Sequence, residues 1–488
     1  MPEQNLKDKA IKGMAWNAVE KFAGYGLSFV IGTILARILM PSDYGLVGML
    51  AIFFGLSELF IASGFSYALI QKTDRTEVDY STVFYYNLFV ALGFYIVLYF
   101  SAPVIADFYK VPQLTILTRV LSINILFNSL SLVQQTRLKI NLDFKTQAFV
   151  SLISVVVSGS IGIYAALHGF GVWALVLQSS TNSLTKTLLF FYFNKWMPKF
   201  IISLSSFKEL FGFSSKLLIA GLASTIFNNI YSILIGKLFS PQDTGYYTRA
   251  RQYPELLSDL ITSILAGVTF PILASLQENK ERLVSVFGQV MRVTVFMVIP
   301  SLALFAVLSE PFIRFFLTDK WILVVPLIKW LCFARMFTPI NSLNLTILTA
   351  TGRSDLYLIV DSSKIPLLVI MLFITVPLGL KAIVIGNFIT AANSFLINTY
   401  YPGKLYGFGA FRQLREMRQV IYATLIMSAG VIGIMMIIPS DFLQLLIGIP
   451  AGMILFLAAA YLLKIKELND ITNVIYSILG KGNNNSGI

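Results

Sequence analysis

Long, mostly apolar stretches alternate with short polar connections along the whole chain. In the first half the stretches run from Phe22 to Ala36, Leu46 to Ser57, Tyr80 to Ala106, Val120 to Thr136 and Thr146 to Thr185. The last is too long for one helix and breaks at His168-Gly169-Phe170-Gly171, a loop signal. In the second half they run from Leu217 to Gly236, Thr244 to Gln277 with polar interruptions, Val293 to Ser309 and Ile322 to Gly352. Ile365 to Leu380, Ala382 to Gly403, Gln419 to Ser440 and Phe442 to Leu463 complete the series. Crossing a bilayer takes about 20 apolar residues per helix, so the pattern predicts an all-α polytopic membrane protein with about 14 spans. Lys7, Lys9 and Lys12 resemble the start of a signal peptide, but no small-residue cleavage site follows, so the first stretch reads as a span.

The pattern repeats. After the first span the chain reads Arg37-Ile38-Leu39-Met40-Pro41-Ser42-Asp43-Tyr44-Gly45, and after the seventh Lys237-Leu238-Phe239-Ser240-Pro241-Gln242-Asp243-Thr244-Gly245. Pro-x-Asp-x-Gly is expected to form a short turn: Pro stops one helix, Asp caps the next and Gly permits close approach. Asn128-Ser129-Leu130 against Asn341-Ser342-Leu343, and Ala68-Leu69-Ile70-Gln71 against Ala274-Ser275-Leu276-Gln277, echo in the same order. The expectation is two parallel six-helix repeats, related by a pseudo-twofold along the membrane normal, plus two final helices. The lobes are expected at residues 1–200 and 201–405, with the last two helices and a tail at 406–488.

Composition narrows the class. Of 488 residues 56% are apolar and only 12% charged, half the charge of an average soluble domain, so a soluble enzyme and a disordered protein are excluded. One cysteine, Cys332, and one histidine, His168, leave no internal disulfide and almost no scope for a zinc cluster or a histidine-based catalytic set. No catalytic residue, metal, nucleic-acid partner or cofactor is expected, beyond a proton or sodium ion for coupling. The net charge is +13, and most Lys and Arg fall on the side of the N-terminus. Only Arg37, Lys110, Lys237, Arg314, Lys320 and Lys381 fall on the other side. By the positive-inside rule both termini are expected in the cytoplasm.

Six, six and two helices, with Pro-x-Asp-x-Gly after the first and seventh, resemble the multidrug/oligosaccharidyl-lipid/polysaccharide exporter superfamily. The segment from Gly13-Met14-Ala15-Trp16-Asn17 through Pro41-Ser42-Asp43-Tyr44-Gly45 is most similar to its polysaccharide branch, the Wzx-type flippases of the O-antigen and colanic-acid (WzxC-like) kind. The resemblance implies a bacterial inner-membrane transporter that moves an undecaprenyl-diphosphate-linked oligosaccharide to the outer leaflet by alternating access through a cationic cavity. It also implies membrane lipids, a polysaccharide polymerase and glycosyltransferases as partners. The alternatives are an ion-coupled multidrug antiporter of the same superfamily and, in a different class, a membrane polymerase or ligase for O-antigen. The connections on the outer side, of which Glu310 to Lys320 is the longest, are short for such an enzyme. No G-x-x-x-x-G-K-[ST] motif is present, so an ion gradient, the membrane potential or the substrate gradient must supply the energy.

Charges at membrane depth are costly and mark function. The eighth predicted span carries Arg249, Arg251, Glu255 and Asp259. The last three are spaced by four and share a helix face, which Pro254 can kink. Arginine forks suit a diphosphate, so Arg249 and Arg251 are candidate cavity contacts, with Arg249 the freer because Tyr253 lies four residues on. The bland reading is an Arg251–Glu255 pair that neutralises itself. Lys21 and Trp16, near the inner face, could receive the diphosphate and stack on a sugar, or could serve as interfacial anchors. Asn228 and Asn229 could line the cavity. Glu58, Glu255 and Asp259 are the candidate coupling carboxylates, Glu58 because it stands alone at mid-depth. Further intramembrane charges are Arg119, Lys186, Arg292, Lys329, Arg335 and an Asp361–Lys364 pair.

Overall fold

The computed structural model describes residues 3–62 and 65–468. The side chains of 3–12, 212–217 and 264–268, and of single positions including Asn228, lie outside the described set. Among the described residues the chain is helical throughout, without a strand. It divides into two compact units, residues 1–248 and 249–488.

The first unit contains α1 (Glu3–Ile38), α2 (Pro41–Ala62), α3 (Phe65–Gln71), α4 (Glu77–Tyr109), α5 (Leu114–Leu121), α6 (Ile123–Ile140), α7 (Phe144–Leu167), α8 (Val172–Asn194) and α9 (Leu204–Leu238). It also holds the first two turns of α10 (Pro241–Ser275). The second unit contains the rest of α10, α11 (Lys280–Val307), α12 (Ser309–Phe312), α13 (Val324–Ala350), α14 (Ser354–Ser362), α15 (Ile365–Thr375), α16 (Leu380–Tyr406), α17 (Ala410–Ile437) and α18 (Asp441–Leu462).

Ten stretches among the described residues are long and apolar enough to cross a membrane. These are in α1, α2, α4, α5–α6, α7, α11, α14–α15, α16, α17 and α18. The remaining long helices, α8, α9, α10 and α13, have 23, 35, 35 and 27 residues. They carry much of the polar chemistry: Lys186 on α8, the charges of α10, and Lys329 and Arg335 on α13.

The repeated motif forms, with one change. Pro41 and Pro241 do not stop a helix; each opens the next one, where its fixed φ suits the first turn and its missing N–H is no loss. The aspartates then cap. The Met40 N–H donates to Asp43 Oδ2 at 2.9 Å. The Ser240 N–H donates to Asp243 Oδ2 at 3.2 Å, and the Asp243 N–H donates back to Ser240 Oγ at 3.1 Å. The two motifs also touch each other, reciprocally. A Cβ on Gly45 would lie 1.7 Å from the Pro241 carbonyl oxygen, and one on Gly245 would lie 1.8 Å from that of Pro41. Only glycine permits that approach. Repeat-equivalent atoms exchanging the same contact is what a local twofold produces.

Two predicted stretches and one connection differ from the structure. The fourth is two helices, α5 and α6, joined at Ser122. The eleventh begins earlier, at Ser354, and breaks at Ser363-Lys364 before Pro366, so Lys364 caps α15 and pairs with Asp361 at 2.8 Å. The connection from Glu310 to Lys320 is folded: α12 passes into a wide π-helical turn, Ile313–Leu317, and a 3-10 turn, Asp319–Trp321. Trp321 at its end is fully buried, which anchors the segment.

Each unit has its own apolar core. In the first, Met49 and Leu50 of α2 pack with Ala91 of α4 and Leu114 and Leu117 of α5. In the second, Phe287, Met291 and Val295 of α11 pack with Ile340 and Ile347 of α13 and Ala423 and Met427 of α17.

Candidate functional site

In the first unit a cavity of about 500 Å³ opens among α1, α2, α6, α7 and α8. Its wall is polar where α2, α6 and α8 meet. Glu58 of α2 accepts a hydrogen bond from Asn128 Nδ2 at 3.2 Å, and its carboxylate is open to the cavity. Lys186 of α8 lines the same space. Asn124 Nδ2 donates to Ser179 Oγ at 3.1 Å, and Asn182 Nδ2 donates to Ser158 Oγ at 3.1 Å. The Asn124 side-chain carbonyl is buried without a partner, an acceptor a ligand can satisfy. Glu58 is therefore not solitary at mid-depth: it shares its cavity with a cation and a set of amides. Asn124 and Asn128 recur at four residues, and Ser179, Asn182 and Lys186 at three and four, so each group is a polar stripe on an apolar helix. That periodicity was the available signal for them.

Nearer the end of α1, Glu20 accepts from Ser151 Oγ at 2.7 Å and from Gln147 Nε2 at 3.2 Å. Trp16 is half-buried, 5.8 Å from the Phe149 ring, with the Lys145 ammonium 5.8 Å from its centre. Lys21 is exposed. Asn229 is half-buried and donates to the Thr225 carbonyl at 2.9 Å, one turn back in its own helix. Asn228 falls outside the described side chains.

In the second unit the face of α10 survives Pro254, because the helix continues through it. Arg251 Nε donates to Glu255 Oε1 at 2.6 Å. Arg335 of α13 bonds to the same oxygen, so one carboxylate is clamped between two guanidiniums. The self-neutralising pair is formed, and Arg335 joins it as a third member. Asp259, one turn further, is exposed. Arg249 differs from the freer cation expected of it. It is 4% exposed, donates to Gln252 Oε1 at 2.6 Å, and has its guanidinium carbon 5.9 Å from the centre of the Trp321 ring. A partner at i+3 and a buried indole replaced the absent partner at i+4.

The second unit also has a half-open cavity of about 900 Å³ among α11, α13, α16, α17 and α18. Ile299, Phe333, Phe337, Phe388, Met417 and Ile421 give it apolar walls. Its charged groups, Glu310, Lys329 and Asp441, gather with Gln444 at the end where α17 finishes and α18 begins.

A family model described as "Polysaccharide biosynthesis protein" matches residues 34–326. Over 66% of its length the chain is 29% identical to the teichuronic acid biosynthesis protein TuaB of Bacillus subtilis, covering 67% of that protein. It is 26% identical to the succinoglycan biosynthesis transport protein ExoT of Rhizobium meliloti, over 70% of this chain and 69% of that one. It is 22% identical to the lipopolysaccharide biosynthesis protein WzxC of Escherichia coli, over 72% of each. Among solved structures it superposes on the lipid II flippase MurJ in an inward closed conformation with a TM-score of 0.71 at 16% identity, covering 96% of this chain and 99% of that one. On an inward-facing multidrug resistance MATE family transporter the TM-score is 0.61 at 17% identity, covering 79% and 96%. At those identities the likeness is one of fold. It is a fold of membrane transporters rather than enzymes, and the chain belongs to the polysaccharide biosynthesis protein family.

Proposed function

We propose that the protein moves a polyprenyl-diphosphate-linked oligosaccharide from the inner to the outer leaflet of a bacterial cytoplasmic membrane, by alternating access, for assembly of a surface polysaccharide. The observation that carries this reading is the polar cavity of the first unit, with an apolar cavity in the second. The polar one, of about 500 Å³, carries Asn124, Asn128, Asn182 and Lys186. The apolar one, of about 900 Å³, has a charged rim. A lipid-linked sugar needs both kinds of wall, amides and cations for its head and aliphatic or aromatic surface for its tail. The named roles of the relatives in teichuronic acid, succinoglycan and lipopolysaccharide biosynthesis support the same cargo class.

Energy coupling is assigned in this proposal to Glu58. Glu255 already has two guanidiniums on one oxygen, whereas the carboxylate of Glu58 faces open space. A proton or a sodium ion bound there would weaken its attraction to Lys186 in the same cavity and free that cation for the diphosphate. The test is a deletion strain of the source bacterium complemented with wild type, Glu58→Gln or Lys186→Gln at matched expression. The deletion should accumulate lipid-linked oligosaccharide on the cytoplasmic side and lose the surface polymer. Wild type should restore export, and both variants should fail to. Normal surface polymer in the deletion strain would overturn the function. Normal export by Glu58→Gln would overturn the coupling role alone.

A further inference from the structure

A third cavity, of about 540 Å³, lies in the second unit where α17 begins and the chain leaves α18. Six cations line it, Arg292, Arg412, Arg415, Arg418, Lys464 and Lys466, against two carboxylates, Glu416 and Glu467. The carboxylates are already engaged. Arg292 binds Glu416 at 2.8 Å and the buried Glu467 at 2.7 Å. Arg412 Nε adds a contact of 3.6 Å to Glu416. This bridge ties α11, α17 and the segment after α18 into a fixed floor. That segment is shaped for it: Lys464 takes a left-handed conformation at φ 53°, the Ile465 N–H donates to the Ala460 carbonyl, and Ile465 is buried.

Arg415, Arg418, Lys464 and Lys466 are exposed around this floor, with no acidic partner among the described residues. Positive-inside bias explains why cations lie at this end of the unit. It explains neither the concavity nor the buried bridge beneath it. Arg412, in the first turn of α17, is held by Glu416 one turn on. The surroundings specify the kind of anion. On the α17 face that carries Arg415, Arg418 and Gln419, the next residues toward the middle of the helix are Tyr422 and Ile426, both exposed. Tyr461 and Leu462, exposed at the end of α18, stand before Lys464. An apolar, lipid-facing strip therefore leads straight to the cations.

We propose that this cavity is a binding site for the headgroup phosphate of an anionic phospholipid, with its acyl chains lying along Tyr422 and Ile426. Arg415, Arg418, Lys464 and Lys466 contact the phosphate. Arg292, Glu416 and Glu467 position the two segments that carry them. The site is separate from both cavities assigned to the cargo and does not depend on that assignment.

The test uses the purified full chain in nanodiscs and in detergent. Phosphatidylglycerol binding, read by native mass spectrometry of retained lipid and by titration, is compared for wild type, Arg415→Gln/Arg418→Gln, Lys464→Gln/Lys466→Gln and a control, Lys381→Gln. Each cation near an anionic lipid is worth roughly a fivefold change in affinity, so each double variant should bind phosphatidylglycerol roughly 25-fold more weakly. The control should be unchanged, and phosphatidylcholine should bind weakly to every form. Wild-type affinity in both double variants, or equal retention of phosphatidylcholine and phosphatidylglycerol by wild type, would overturn the site. Displacement of phosphatidylglycerol by millimolar inorganic phosphate would show a soluble phosphate to be the ligand and overturn the lipid assignment. Thermal midpoints in detergent without added lipid should match wild type in every variant, which separates lost binding from lost folding.

Discussion

Glu255 holds two arginines with one oxygen, and a membrane interior makes such an arrangement consequential. Replacing it by glutamine keeps the shape and removes the carboxylate charge that Arg251 and Arg335 share. For groups about a quarter exposed, the cost falls between that of a surface pair and a buried one, about 1–3 kcal/mol. Thermal unfolding of Glu255→Gln in detergent should show a lower midpoint, and Arg335→Gln, which leaves the Arg251–Glu255 pair intact, should show a smaller drop. Equal midpoints for wild type and Glu255→Gln would mean that the clamp adds nothing. The sequence announced the i, i+4 pair but not its third member, because Arg335 is 80 residues away from Glu255 and only packing of α13 against α10 brings it there. Arg249 shows the same limit in reverse. Nothing at i+4 opposes it, yet Gln252 and Trp321 enclose it.

At the scale of elements, the motif that revealed the repeat also brings two helix starts into close contact. Gly45→Ala would place a methyl against the Pro241 carbonyl, and Gly245→Ala would do the same against Pro41. Either change must push two helix starts apart, at a cost of about 1–3 kcal/mol or more for overpacking. Both variants should lose thermal stability and export, whereas Gly93→Ala, with no atom within 4 Å of the new methyl, should keep both. If Gly45→Ala melts with wild type, the contact is not a constraint on the fold. The motif was legible because its turn chemistry is local: Pro fixes φ, Asp caps, Gly clears space. Which partner the cleared space receives was not legible. Helix breaks were harder still. The division of α5 from α6 at Ser122 carries no Gly or Pro, so hydropathy reads straight across it.

For the whole molecule, the single native cysteine makes orientation directly measurable. Cys332 is fully buried, so it contributes little background to thiol labelling. Lys110 and Lys195 are exposed at opposite ends of the first unit, at the close of α4 and α8. With cytoplasmic termini, a membrane-impermeant maleimide should label Lys110→Cys in intact cells and Lys195→Cys only after permeabilisation. The reverse pattern would invert the topology of the first unit.

Read alone, the chain shows itself to be an all-helical membrane protein with a repeated turn, and its loops predict that the excess charge crowds one side. Those properties follow from hydrophobic runs, local turn chemistry and the energy of placing charge in lipid, each of which acts on neighbours along the chain. Tertiary structure decided which charges work together. Glu58 faces Asn128 and Lys186, Glu255 is shared by Arg251 and Arg335, and Arg292 bridges Glu416 and Glu467. Each set joins residues tens of positions apart or more. Their common reason is physical: a charge or amide in an apolar interior must find its counterpart on whichever helix packs beside it, and no local pattern records that choice.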